Sequence, residues 1–128
     1  INYSVTQDGV ESQLLNYVVA SERADTFADG VAVRVPNAPA VELICRGADR
    51  IVTLAEDEFA EASRCYFSDT HNVAEGAGAA GLAALLQERE RMRGHRVALV
   101  ITGGNIDRDL YRRILAGETP DPYLTRST

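Results

Sequence analysis

An unbroken apolar run, Val97 to Ile101, stops at Thr102, two glycines and Asn105, with Asp107 just beyond. With Arg96 in front, "RVALVI" reads as a buried strand, and such runs belong to parallel sheets covered by helices. In open α/β sheets ligands bind beyond the carboxyl ends of the strands, where loops enter helices, and "TGGN" lies at such a point. Gly103 and Gly104 carry no Cβ and so admit a close neighbour, while Thr102 offers a hydroxyl that can donate or accept. The alternative is a tight strand-to-helix turn capped by Asn105 or Asp107. Spacing leaves both open. The glycine pattern is not that of a P-loop or a dinucleotide fingerprint.

The rest of the chain supplies the other elements of an α/β order. Residues 1–7 read as the end of a strand and Val10–Ala20 as a helix, with Leu14, Leu15, Val18 and Val19 at helical spacing. Residues 21–40 read as a loop or wrapping linker with a short strand at Val31–Val35, and Asp29-Gly30 is a strong turn signal. A short helix from Pro39 should turn Val41, Ile44 and Cys45 inward and end near Gly47. "RIVTL" (50–54) reads as a short buried strand, and "EDEFAEASRCYFSDT" as a helix opened by acids, with Phe59, Ala62, Tyr66 and Cys65 on one face. From Val73 to Leu86 a helix is apolar all round and should be buried on every side; from Gln87 to Arg93 it is charged, and Gly94 ends it. A last amphipathic helix starts at Asp107 with Leu110, Ile114 and Leu115 inward, and residues 118–128 read as a loose tail.

Composition narrows the function. At 128 residues, 45% hydrophobic and 25% charged, the chain can build a real core. A formal charge of −6 disfavours nucleic acid and anionic membrane surfaces as partners. No apolar run approaches the roughly 20 residues of a membrane span, and the opening lacks a signal-peptide pattern. Beginning at Ile1 without methionine, the chain reads as processed, trimmed or preceded by further sequence. Cys45 and Cys65 read as reduced, buried thiols of a cytoplasmic protein rather than as a disulfide framework or a nucleophile. All thirteen basic residues are arginine. No lysine amine is available as a nucleophile or Schiff-base partner.

A second candidate stretch is "THNVAEGAGAAG" (70–81). Asn72 and Glu75 have the spacing of a capping box. Gly76, Gly78 and Gly81, however, each cost a helix roughly 1 kcal/mol relative to alanine, so something should approach the backbone closely there. His71 and Asn72 read as capping and turn residues, and two histidines make a metal site improbable.

Taken in order, "TFADGVAVRVP", "VTLAEDEFAEA", "THNVAEGAGAAGLAALL" and "RVALVITGGNID" resemble the carboxy-terminal part of threonine dehydratases. These belong with serine racemases to the tryptophan synthase β-like (fold type II) pyridoxal-phosphate enzymes. The resemblance runs over roughly residues 20 to 115; residues 1–20 match poorly, and Ala55 stands where a capping serine is common. It implies an α/β fold: an open parallel sheet with helices on both faces. Residues 1–128 would be the carboxy-terminal portion of the large, pyridoxal-phosphate-binding domain.

In that family a lysine near the amino terminus holds the cofactor as a Schiff base, and a glycine-rich loop upstream holds its phosphate. Neither element is present here. The resemblance implies that Thr102 bonds the pyridine nitrogen, that Gly103 and Gly104 let the ring edge approach, and that Glu75 lies close to the ring. Gly30 would lie beside the cofactor too. A neutral hydroxyl leaves the ring nitrogen largely unprotonated, a weaker electron sink suited to β-elimination. The implied activity is a threonine or serine ammonia-lyase, giving a 2-oxo acid and ammonia from a small amino acid. Its expected setting is a cytoplasmic homo-oligomer completed by an amino-terminal part of the same enzyme, without nucleic-acid or membrane partners. This chain by itself should be inactive, and its residues carry no reading of feedback control. Serine racemase of the same family is the nearer alternative, and a non-catalytic α/β binding module the more distant one.

Overall fold

A computed structural model describes residues 17–21, 25–33 and 35–121, with the backbone alone for 17–21. Two strands, β1 (Tyr17–Ser21) and β2 (Arg50–Leu54), pair in parallel with Tyr17 opposite Arg50 and Ser21 opposite Leu54. Between them lie a 3-10 turn at Asp29–Val31 and helix α1 (Ala38–Gly47). Four helices follow β2: α2 (Glu56–Thr70), α3 (Gly76–Gln87), the single turn α4 (Arg89–Met92) and α5 (Arg108–Leu115). A parallel pair joined through a helix makes this an α/β chain.

The core lies between one face of β2 and helices α2 and α3. Although its apolar run suggests a strand buried throughout, β2 alternates: Val52 and Leu54 are buried while Ile51 and Thr53 are exposed, because among the described residues helices cover one face of the pair only. Phe59, Ala62 and Tyr66 of α2 close over that face, with Ala79, Ala80, Ala83 and Ala84 of α3. Leu54 and Phe59 are completely buried, which stabilises the fold by roughly 1.5–3 kcal/mol each. The acids Glu56, Asp57 and Glu58 meet the positive end of α2. Ala55, at the N-cap, has no side-chain acceptor, but the Glu58 carboxylate accepts its N–H at 2.8 Å.

α5 packs across the outer side of α2. Asp107 caps it by accepting from Asp109 N–H (2.9 Å) and Leu110 N–H (3.3 Å). The Tyr111 ring meets Phe67 edge-on at 5.9 Å. At the far end Arg64 donates to the carbonyls of Ile114 (3.2 Å) and Glu118 (3.3 Å), tying α2 to the end of α5 and the turn beyond it.

Several expectations need correction. Tyr17–Ser21 is strand, not the end of a helix, because its pairing with β2 outweighs the helical spacing; the rest of that expected helix, and the strand at 1–7, lie outside the described residues. Instead of a strand at 31–35 there is the 3-10 turn, stabilised by Val31 N–H donating to Ala28 at 3.0 Å; Arg34 is outside the described residues. α1 forms, capped by Asn37, but buries none of its side chains: Val41 and Cys45 are exposed and Ile44 half-buried. Cys65 is also half-buried, so neither thiol is a core residue.

The helix expected from Val73 begins at Gly76. It is not enclosed on every side, for Leu82, Leu85 and Leu86 are half-buried and Val73 is 46% exposed. Asn72 and Glu75 make no capping box. The Asn72 amide turns back to Thr70, and Glu75 is itself the N-cap. On α5 the buried residues are Tyr111 and Ile114, with Leu110 half-buried and Leu115 exposed. Pro120, in the expected tail, is fully buried.

The largest correction concerns the apolar run itself. Residues 95–107 carry no regular secondary structure, although Val97–Ile101 has the composition of a buried strand. A strand is a relation to a neighbour: its N–H and C=O groups need an edge to pair with. Among the described residues no edge is paired with this run. Val97, Val100 and Ile101 are 43%, 73% and 39% exposed, while Leu99 leans toward α3 near Gly81.

Candidate functional site

The segment after Val97 runs back along α3, and the three glycine-bearing stretches meet at that helix's first turn. Glu75 N–H donates to the Gly103 carbonyl at 3.2 Å, and Ala79 N–H closes the helix onto Glu75 at 2.9 Å. The same Gly103 carbonyl fills the space where a Cβ on Gly78 would stand, and a Cβ on Gly103 would run into the Glu75 carboxylate. On Gly104 it would lie 2.6 Å from the Val73 carbonyl oxygen. Two backbones therefore touch directly, and only glycine permits it.

From the other side comes the segment 26–31. A Cβ on Gly76 would stand 2.8 Å from both Ala28 Cβ and Phe27 Cε2, and one on Gly30 would stand 2.7 Å from Ala77 Cβ. Gly76 and Gly78 thus have the close neighbours their spacing implied. Gly81 does not: its nearest neighbour, Leu99 Cδ2, would lie at an ordinary 3.7 Å.

Of the five residues singled out in the sequence, Glu75, Thr102, Gly103 and Gly104 form one cluster, and Gly30 reaches it through Ala77. Thr102 is exposed, and its hydroxyl makes only a long 3.5 Å hydrogen bond to the Ala77 carbonyl. That hydroxyl can be given up to a ligand at little cost. The Glu75 side chain does not cap α3, so its carboxylate stays half-buried over Gly103 at the positive end of the helix. His71 is a turn residue, as expected, ending α2 in the left-handed region at φ 57°. Among the described residues no group of three His, Cys, Asp or Glu could hold a metal, and no helix is long and apolar enough to cross a membrane.

Two residues of this junction escape a sequence reading. Phe27 supplies the ring edge against Gly76, and Glu56 accepts Phe27 N–H at 3.1 Å. Glu56 stands in a run of three acids whose common explanation is the helix end, so nothing in the pattern separates it from Asp57 and Glu58.

The chain belongs to the pyridoxal-phosphate dependent enzyme family, which it matches over residues 5–103, including the stretch before residue 20 where the motifs are weak. It is 37% identical over 124 residues to an L-threonine ammonia-lyase of Thermotoga maritima, covering 90% of this chain and 31% of that protein. An L-threo-3-hydroxyaspartate ammonia-lyase from Pseudomonas sp is 31% identical, over 86% of this chain and 34% of its own length. Among solved structures, a T.th. threonine deaminase superimposes with a TM-score of 0.68 at 30% identity, over 74% of this chain and 41% of that one. A serine racemase from Dictyostelium discoideum gives 0.59 at 29%, over 66% and 28%. The chain spans about a third of the length of the curated relatives it matches.

The residues present fit one edge of the family's cofactor. The spaces that Cβ atoms of Gly78, Gly103 and Gly104 would fill are taken by protein atoms, so what this side offers a flat ring is the edge of the loop, where the neutral, exposed Thr102 hydroxyl suits a ring nitrogen. The lysine amine and the phosphate cradle have no counterpart among these residues.

Proposed function

We propose that residues 1–128 form the carboxy-terminal portion of the cofactor-binding large domain of a threonine or serine ammonia-lyase, which converts L-threonine or L-serine to a 2-oxo acid and ammonia. The observation that carries this reading is the meeting of Glu75, Gly78 and Thr102–Gly104 at the first turn of α3, with Gly30 alongside. Pyridoxal phosphate, when bound, supplies the electron sink that loosens the substrate's α-proton and β-hydroxyl. Thr102 Oγ1 would hydrogen-bond the ring nitrogen through its O–H and, being a neutral hydroxyl, would leave that nitrogen largely unprotonated. Gly103 and Gly104, seated against α3, would meet the ring edge with their backbone, and Glu75 holds that loop through its N–H bond to the Gly103 carbonyl. Gly30 lines the same wall from the side of the 3-10 turn.

The Schiff-base lysine and the phosphate loop are supplied, in this reading, by polypeptide outside these residues. The absence of lysine and the span of a third of the relatives' length support that assignment. The same polypeptide covers Val97, Val100 and Ile101 and completes an open parallel sheet with helices on both faces. The complete enzyme is a cytoplasmic homo-oligomer acting on a small amino acid, with no nucleic-acid or membrane partner.

Thr102 provides the test. In the complete enzyme, T102A should weaken cofactor retention several-fold, since one neutral hydrogen bond contributes about 0.5–1.5 kcal/mol, and T102S should be tolerated. T102D should favour a protonated ring nitrogen and shift products from elimination toward racemisation or transamination. Oxo-acid release measured against α-proton exchange reads the ratio. Unchanged retention in T102A together with an unchanged ratio in T102D would mean that Thr102 does not face the ring.

A further inference from the structure

Glu56 is a buried acid that the cofactor reading leaves unused. It is only 8% exposed, although it opens α2 beside two acids that reach solvent or the Ala55 N–H. Burial costs a carboxylate its hydration, and a helix end that exposed acids already complement does not require it. Its Oε2 instead crosses to a segment 29 residues away and accepts Phe27 N–H at 3.1 Å, while its Oε1 is buried without a hydrogen-bond partner.

One turn along α2, Phe59 takes the Phe27 ring edge-on, at 6.4 Å between centroids and 82° between planes. Phe27 is thus gripped by α2 at its backbone through Glu56 and at its ring through Phe59. Thr26, itself buried, accepts Ala28 N–H at 3.0 Å and stiffens the segment so held. The far side of that segment is what meets α3: Phe27 and Ala28 against Gly76, and Gly30 against Ala77.

We infer that Glu56 is a positioning residue: it tethers residues 26–30 to α2 and thereby sets the spacing at which Phe27, Ala28 and Gly30 meet the first turn of α3, the turn that also carries Thr102–Gly104. The tether stands on geometry alone; its effect on cofactor retention rests on the function proposed above.

Three substitutions in the full chain separate a tether from a helix-end charge. E56Q keeps an acceptor at the same reach without the charge. E56D keeps the charge one methylene short of Phe27, and E56A removes both. Amide hydrogen exchange at Phe27 is the readout, with Tyr111 N–H in α5 as the reference for overall stability. Loss of a hydrogen bond to a charged group should speed Phe27 exchange by roughly tenfold or more in E56D and E56A. E56Q should stay close to the parent, and Tyr111 should not follow. The inference is overturned if E56D behaves as the parent while E56Q resembles E56A, or if Phe27 exchange is unchanged in all three. Pyridoxal phosphate retention by the complete enzyme, measured by equilibrium dialysis, should follow the same order. If retention fails to follow while the Phe27 order holds, the tether is upheld and the cofactor assignment of this wall is refuted.

Discussion

Replacing Gly78 with alanine sets two effects of known size against each other. In a helix interior, alanine is favoured over glycine by roughly 1 kcal/mol. At Gly78 the new methyl would occupy the place of the Gly103 carbonyl oxygen, a backbone atom with no rotamer to escape into. Forcing an extra methyl into a filled site costs about 1–3 kcal/mol. Moving the carbonyl aside also strains the 3.2 Å bond from Glu75 N–H, a further loss of about 1 kcal/mol. The net expectation for G78A is therefore a destabilisation of about 1–3 kcal/mol. Three residues on, Gly81 is the control. A methyl there would meet Leu99 Cδ2 at 3.7 Å, an ordinary contact, so G81A should gain roughly 0.5–1 kcal/mol. Urea unfolding reads both, provided that the midpoint shifts without a change in slope. Opposite signs on one helix are the signature of a carbonyl seated against Gly78. If G78A is as stable as G81A, the 102–104 segment does not lie on the first turn of α3.

Two further outcomes follow from thiol and amine chemistry. Partial burial pushes the Cys65 thiol up, and the Glu61 and Asp69 carboxylates add to it, so at pH 8 iodoacetamide should label exposed Cys45 well before Cys65; mass mapping showing equal rates would contradict this. The 128-residue polypeptide has no lysine, so pyridoxal phosphate with borohydride should leave no reduced adduct on any side chain once the amino-terminal amine is blocked. One mapped adduct elsewhere would refute it.

What was legible in the sequence was whatever is decided locally. β2 follows from its short apolar run, although only one of its faces is buried, and α2 from acids before an apolar face; Asp107 is the cap of α5 that the spacing had left open against Asn105. A close neighbour at Gly76 and Gly78 was also within reach, because glycines that cost a helix stability imply one; that Glu75 would group with Thr102–Gly104 came from the family resemblance. Where partners sit far along the chain, the pattern misled. Val18 and Val19 fit a helical stripe until β2 is set beside them, and Val97–Ile101 looks like a strand whether or not an edge exists for it. Asn72 had the right spacing for a cap, yet the left-handed turn at His71 carries it back toward Thr70. Glu56 could not be told from its neighbours, since its partner Phe27 lies on another element.

Backbone pressed on backbone at Gly78 and Gly103 limits how this junction can vary. Main-chain atoms are the same in every sequence, so a point substitution cannot alter the chemistry they present. It can only push the two segments apart or leave them alone. Side-chain variation at the cluster is confined to Thr102 and Glu75, one hydroxyl and one carboxylate. A change of chemistry here would therefore have to be selected on those two side chains or on neighbouring segments, with the backbone contact itself inherited unchanged.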